Sequence, residues 1–370
     1  MKTQLKHVAA AVLLASLGSA AFAATAHGGY SPAITSGAPP DSPAAHVDPN
    51  LPTSPYSGVV SINIVYDGLS YICSGTLVSS RHVVTAGHCI DTTGTGTVID
   101  LTKAGNSVRA VFNAQPNPGD PGRAVIAASS VAMHNDYKGF GYCPAGSAPD
   151  AFCLNDDVAV ITLGADAPSS AKIYSVWGGD VNTGQQVTMA GYGTSGDGIS
   201  GYYVSPAFRV KRTGQNVMDL FDLDDEQFFA GGMKEVWYAD FDGVDADGNM
   251  QDAFCNIFGV CTSTLTNETE SGIGGGDSGG STFVEAYGQL MLAGNNTFSW
   301  NLWWDGTPDG DARAGTFGTA FGGMNLSAYI PWLVDATGGA ITVVPEPATY
   351  GLVMLGLLAA GATARRRKSA

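Results

Sequence analysis

Positive charge is scarce in this sequence. Lysine and arginine number 17 against 33 aspartates and glutamates, giving a formal net charge of −16. Phosphate backbones are gripped by clustered Lys and Arg, so nucleic acid is not an expected partner. Charged residues of both signs make up only 14% of the chain, which argues against a helical protein with solvated faces. Long helical periods and internal repeats are missing too. The six cysteines include no Cys-x-x-Cys pair, and without that spacing the usual cysteine-based metal sites are excluded.

Glycine and short alternating runs are abundant instead. There are 50 glycines, as in turn-rich β proteins. Val59 to Val65 alternates at period two, the mark of a strand with one face inward. Further strands are expected at Tyr71 to Val78, His82 to Ala86, Val108 to Phe112, Val125 to Ala127, Asp157 to Leu163, Val187 to Gly193 and Leu290 to Gly294. Their short, regular spacing points to a barrel or sandwich. His134-Asn135-Asp136-Tyr137 reads as an exposed surface turn, and 138–155 as a Gly/Pro-rich loop. Residues 165–184 read as a connection between two halves. Residues 195–270 form a long acidic region with little pattern. Its alternate carboxylates, among them Asp219, Asp222, Asp240, Asp242, Asp245 and Asp247, are candidates for calcium against a plain solvated acidic loop; they do not make an EF-hand. Residues 24–56, with seven prolines from Pro32 to Pro55, read as a linker or propeptide without its own core.

Three stretches carry the chemistry. Gly274-Gly275-Gly276-Asp277-Ser278-Gly279-Gly280 sets a serine among glycines after an acid. Glycine allows positive φ and leaves peptide N–H groups free beside the hydroxyl. Thr85-Ala86-Gly87-His88-Cys89 follows an apolar run, and Asp157-Val158-Ala159-Val160 heads a strand. A serine hydroxyl needs a base within reach; His88 can take and return its proton. A buried carboxylate fixes the imidazole's tautomer, and Asp157 or its neighbour Asp156 could supply it, their side chains pointing to opposite faces of a strand.

In this order and context the motifs resemble the chymotrypsin/trypsin family of serine peptidases, over roughly residues 56 to 335. The resemblance implies an all-β fold of two six-stranded antiparallel barrels, about 57–168 and 185–335 within a domain of 57–338, closed by a short helix over Ser327 to Val334. It selects Asp157 over Asp156 as the partner of His88, with Ser278 as nucleophile. It assigns the oxyanion hole to the N–H groups of Gly276 and Ser278, and the substrate edge to Gly272, Thr297, Phe298 and Ser299. It pairs Cys73 with Cys89; sequence proximity alone suggests Cys143–Cys153 and Cys255–Cys261. Where trypsin-like members carry an acid for Arg or Lys, this chain has Gly272, so cleavage after a basic residue is not implied. Gly274 replaces a common cysteine, and Ser281 a common proline. Family activation frees an Ile or Val amine that pairs with the acid before the serine, here Asp277; Ile34-Thr35-Ser36-Gly37 loosely resembles such a terminus.

The two ends read as processing signals. Met1 to Ala23 has Lys2 and Lys6, an apolar run and Ala21-Phe22-Ala23, the form of a cleavable secretory signal. Residues 344–370 run from Val344-Pro345-Glu346-Pro347 through an apolar stretch to Arg365-Arg366-Arg367-Lys368. That tripartite pattern resembles the PEP-CTERM sorting signal of exported Gram-negative proteins. It implies transient membrane insertion, an exosortase-type processing enzyme as partner, and a mature protein at the cell surface or outside the cell. The six cysteines suit such an oxidising compartment. The expectation is an exported serine endopeptidase acting on proteins or peptides without a cofactor. The alternative is a silent matrix or adhesion protein that keeps the fold.

Overall fold

The computed structural model describes residues 34–114, 123–147, 153–301 and 314–345. The expected signal peptide, residues 24–33, and the sorting segment beyond Pro345 lie outside them.

The first half is a closed barrel of six strands: β1 (Val59–Tyr66), β2 (Leu69–Leu77), β3 (His82–Thr85), β4 (Ser107–Phe112), β5 (Ala124–Met133) and β6 (Ala159–Leu163), in the ring order β1-β2-β3-β6-β5-β4. All its pairings are antiparallel. The alternation seen in the sequence serves two cores. Val60, Ile62, Ile64, Val83, Ala159 and Ile161 fill the barrel. Their neighbours Val59, Val84, Val158 and Val160 face the other way, into a cluster shared with Ala190, Tyr192, Phe283 and Leu292 of the second half. Period-two side chains thus close the barrel and dock it at once. Each fully buried valine or isoleucine contributes about 1.5–3 kcal/mol.

The second half runs through β7 (Val176–Trp177), β8 (Gln185–Gly191), β9 (Ser195–Asp197), β10 (Gly201–Val204), β11 (Arg212–Met218), β12 (Leu220–Leu223), β13 (Lys234–Asp240), β14 (Gly243–Val244), β15 (Met250–Gln251), helix α1 (Ala253–Phe258), β16 (Ser281–Ala286), β17 (Gln289–Asn295), β18 (Phe298–Asn301), β19 (Thr319–Met324), helix α2 (Ile330–Ala336) and β20 (Val343–Val344). It differs from the expected single antiparallel barrel. One sheet has the order β11-β8-β16-β17-β7-β20, a second β12-β13-β19-β18, and the pairs made by β7 are parallel. The sheets are joined at two places: the N–H of Asp219, between β11 and β12, donates to the Tyr238 carbonyl at 2.8 Å, and that of Leu326, just after β19, to the Ala293 carbonyl of β17 at 2.8 Å. Helix α2 begins three residues after the expected start.

Residues 195–270 are far from patternless. They hold β9 to β15 and α1. Strand β11 escapes a hydrophobic reading because polar residues occupy buried positions: Asn216 is buried and donates to the Asp240 and Ser271 carbonyls and to Glu270. Residues 34–56 also differ from the expected free linker. Lys211 is fully buried, its Nζ 2.7 Å from Asp48 and donating to the Tyr56 carbonyl. Arg212 holds the Pro43 carbonyl, and Ile34 lies in the core with Met189 and Phe241. The segment has no core of its own but shares that of the second half. Disulfides join Cys73–Cys89, Cys143–Cys153 and Cys255–Cys261.

Candidate active site

Strand β3 ends in a tight turn, Gly87–Cys89, that turns His88 toward the seam between the halves. The His88 Nδ1 lies 2.7 Å from Asp157 Oδ2, and the His88 N–H donates to Asp157 Oδ1 at 2.6 Å. Asp157 is wholly buried, so both its oxygens take their partners from one residue. Gly87 makes this possible, since a Cβ there would stand 3.1 Å from Asp157 Oδ1 and 3.2 Å from Tyr137. The Asn295 side-chain amide holds the Asp157 carbonyl at 3.0 Å, which fixes that backbone as well.

Asp156 and Asp157 do point apart, for a different reason from strand alternation. They precede β6, and Asp156 has a φ of 64°. Asp156 pairs instead with His134 Nδ1 at 3.0 Å, beneath Tyr329 and Trp332. The stretch His134 to Tyr137 is thus a surface turn only at Asn135 and Asp136, its two ends being turned inward. Tyr137 is buried beside Gly87, and Phe140 packs edgewise on Tyr137 and against the His88 ring.

The serine loop is pinned from both halves. In β2, Ser74 donates through its Oγ to the Gly276 carbonyl at 2.8 Å and through its N–H to the Ser278 carbonyl at 2.8 Å. The same Oγ accepts from the Tyr192 N–H at 3.0 Å. Beyond the serine, Gly279 donates to the Asn296 carbonyl at 2.7 Å. Gly276 has a φ of 97°, open to glycine, and the N–H groups of Gly276 and Ser278 are bonded to no described residue. Two free peptide donors beside a serine can receive a developing oxyanion.

His88 and Ser278 are neighbours across the Cys73–Cys89 bridge: Cys89 Sγ lies 3.9 Å from His88 Nε2 and 3.6 Å from the Ser278 carbonyl oxygen. Among the described residues no hydrogen bond runs from Ser278 Oγ to His88 Nε2; unliganded enzymes commonly hold this contact long. The expected trio is thus bonded at one joint and adjacent at the other.

Asp277 points inward. Its carboxylate accepts from the Gly193 N–H at 3.0 Å and the Gly274 N–H at 3.2 Å. Burial pushes its pKa up to about 8, against the pull of those two N–H groups and of Arg212. Gly191 has to lack a side chain, because a Cβ would lie 2.0 Å from Asp277 Oδ1.

The expected substrate edge is only partly an edge. Gly272 is buried, accepts the Thr35 N–H at its carbonyl, and donates to Thr35 Oγ1 at 2.9 Å. Thr297 is also buried, its hydroxyl turned to Asn295. Phe298 packs against Tyr238, and only Ser299 is exposed. Ser74 and Asn295 were not singled out in the sequence. The signal for each is a polar side chain inside an apolar strand, which when buried must find a partner.

In the acidic region Asp240, Asp242 and Asp252 bring carboxylate oxygens within 4.8 Å of one another, a set that could hold a metal ion. Asp245 instead caps its own turn, accepting from the N–H groups of Asp247 and Asn249.

Residues 48–213 match the family described as Trypsin, and residues 343–368 match the PEP-CTERM protein-sorting motif. The Trypsin match contains His88 and Asp157 and ends before Ser278. Brachyurin of Leptuca pugilator is 26% identical over 133 residues, 35% of this chain and 49% of that protein. The chain thus spans about half the length of this relative. Residues 48–213 are thus similar to a trypsin domain, and residues 343–368 to a PEP-CTERM sorting motif.

Proposed function

We propose that this trypsin-domain chain is an exported serine endopeptidase in which Ser278 is the nucleophile, His88 the general base and Asp157 the orienting carboxylate. The observation that carries the reading is the two-point bond of buried Asp157 to His88, with the Ser278 carbonyl across the Cys89 sulphur from the imidazole. His88 Nε2 takes the Ser278 proton as Oγ attacks the substrate carbonyl carbon. The oxygen, now an anion, turns to the N–H groups of Gly276 and Ser278. His88 then hands its proton to the departing amine, leaving an acyl-enzyme that water hydrolyses by the same steps in reverse roles. No cofactor enters this chemistry.

A second element of the proposal is activation. A cut before Ile34 frees an amine, and Asp277 is its acceptor. Ile34 is buried, and its carbonyl accepts the Ser195 hydroxyl at 2.5 Å while Thr35 is bonded to Gly272. Ser195 and Gly272 each stand two residues from Gly193 and Gly274, which hold the Asp277 carboxylate. The third element is export: an N-terminal signal is removed, the C-terminal segment inserts in the membrane, and an exosortase-type enzyme cuts near Pro345.

The test is a serine-directed phosphonate applied to the mature protein. Covalent capture by the wild type and none by Ser278→Ala is expected. Absence of capture by folded, trimmed wild-type protein overturns the peptidase reading in favour of a silent matrix protein. The N-terminus of the captured species, read by mass spectrometry, is expected at Ile34.

A further inference from the structure

Two segments of chain flank Ser278. Residues 272–276 run into it, and residues 296–299 leave the point where Asn296 pairs with Gly279 and Gly280. These two segments carry the expected substrate edge, Gly272 and Thr297 to Ser299. Between them stands a side chain of the protein itself. The Tyr202 hydroxyl donates to the Ile273 carbonyl at 2.8 Å on one wall, and the Ser299 side chain of the other wall lies beside the same phenol. The ring lies flush on Gly315, where a Cβ would come within 2.3 Å of it.

The tyrosine is held there by its backbone. It stands in β10, paired with β9. This hairpin is clasped on one side by the N-terminal segment, through Ser36 beside Asp197 and the Gly198 N–H on the Gly37 carbonyl. On the other side the Phe317 N–H donates to the Gly198 carbonyl at 2.9 Å, and a Cβ on Gly201 would strike the Ala314 carbonyl oxygen at 2.7 Å.

We propose that Tyr202 is the specificity-determining residue of the site, filling the recess so that only a small side chain, such as that of glycine, alanine or serine, fits at the residue whose carbonyl is attacked. The proposal rests on the reading of Ser278 as nucleophile. The phenol ring takes the space that the missing side chain of Gly315 leaves open, and its hydroxyl reaches the Ile273 wall. Among the described residues, these peptide groups and the aromatic ring offer no carboxylate to a lysine or arginine.

The experiment is a set of matched peptide substrates, differing only in alanine, phenylalanine or arginine before the cut, given to the full mature chain, to Tyr202→Ala and to Tyr202→Phe. The wild type is expected to cleave after alanine at least about tenfold better than after phenylalanine, the size of effect pocket volume commands. In Tyr202→Ala the phenylalanine-to-alanine ratio of kcat/KM is expected to rise about tenfold or more. Tyr202→Phe keeps the ring and is expected to keep the wild-type preference. An unchanged ratio in a Tyr202→Ala protein that still captures the phosphonate overturns the inference and leaves the peptidase intact. If Tyr202→Ala does not fold, the wild-type profile decides alone: equal cleavage after phenylalanine and alanine overturns the inference. Absence of both cleavage and capture in the folded wild type removes the underlying reading, and this proposal with it.

Discussion

A carboxylate that gives one oxygen to the imidazole and the other to its own backbone N–H fixes His88 in both rotation and tautomer. Asp157→Asn keeps the shape but presents an amide donor to Nδ1, so the ring is held in the wrong tautomer. The kcat for peptide hydrolysis is expected to fall about 10,000-fold, the figure belonging to the chymotrypsin-type triad itself, while thermal stability changes little; steady-state kinetics beside a melting curve separates the two. Ser74 works at one remove. Its Oγ accepts from Tyr192 and donates to Gly276, so Ser74→Ala leaves both groups buried and unpaired. A loss of about 1–3 kcal/mol in urea unfolding is expected, with a drop in kcat exceeding any rise in KM because the oxyanion donors shift while the substrate edge stays in place.

At the scale of elements, what matters is how closely strands and loops approach. Strand β8 ends at Gly191 against Asp277, and no side chain fits there. Gly191→Ala is expected to expel the Asp277 carboxylate from its place under Gly193 and Gly274, disordering the serine loop. Phosphonate capture should be abolished in a protein whose far-ultraviolet circular dichroism still shows its strands. A different joint fastens the N-terminal segment to β11. Lys211→Met leaves Asp48 buried without its cation, which is expected to cost about 3–5 kcal/mol in urea unfolding; adding Asp48→Asn should restore part of that. If Lys211→Met is as stable as wild type, the segment is not anchored by this pair.

The whole molecule is acidic, and its second half buries acids. Burial pushes Glu235 up to about 7 and Asp277 up to about 8. Asp219 and Asp242 are raised as well, by burial first and then by Asp240 beside them. An acid with a raised folded pKa holds a proton that the unfolded chain releases. Its contribution to stability is complete below the unfolded value near 4 and is lost as pH rises through the folded value. The urea midpoint of the full chain is therefore expected to be higher at pH 5.5 than at pH 9, within a decline that begins above about pH 4 and for Glu235 and Asp277 is complete by about pH 8. A midpoint that rises over this range would show these carboxylates to be ionised and paired in the folded state.

Much of the site was legible in the chain because its requirements are local. The histidine turn needs Gly87 where Asp157 approaches, and the serine loop needs Gly276 at positive φ; both leave glycines at fixed offsets from the reactive residue. The first barrel was legible because one alternation, Val59 to Tyr66 above all, writes two apolar faces into one strand. Strand β11 was hidden, since Asn216 is buried for its hydrogen bonds rather than its apolarity, and pattern reading counts only the latter. Tyr202 was likewise silent, and for Ser74 and Asn295 a polar side chain in an apolar strand signals the need for a partner without naming it, because a side chain's destination depends on which distant segment folds against it. The residue types and their order in the chain were enough to point to the proposed chemistry. What fills the recess beside Ser278 was decided only when the β9–β10 hairpin was clasped between the N-terminal segment and residues 314–317, contacts between parts of the chain too far apart for any local pattern to record.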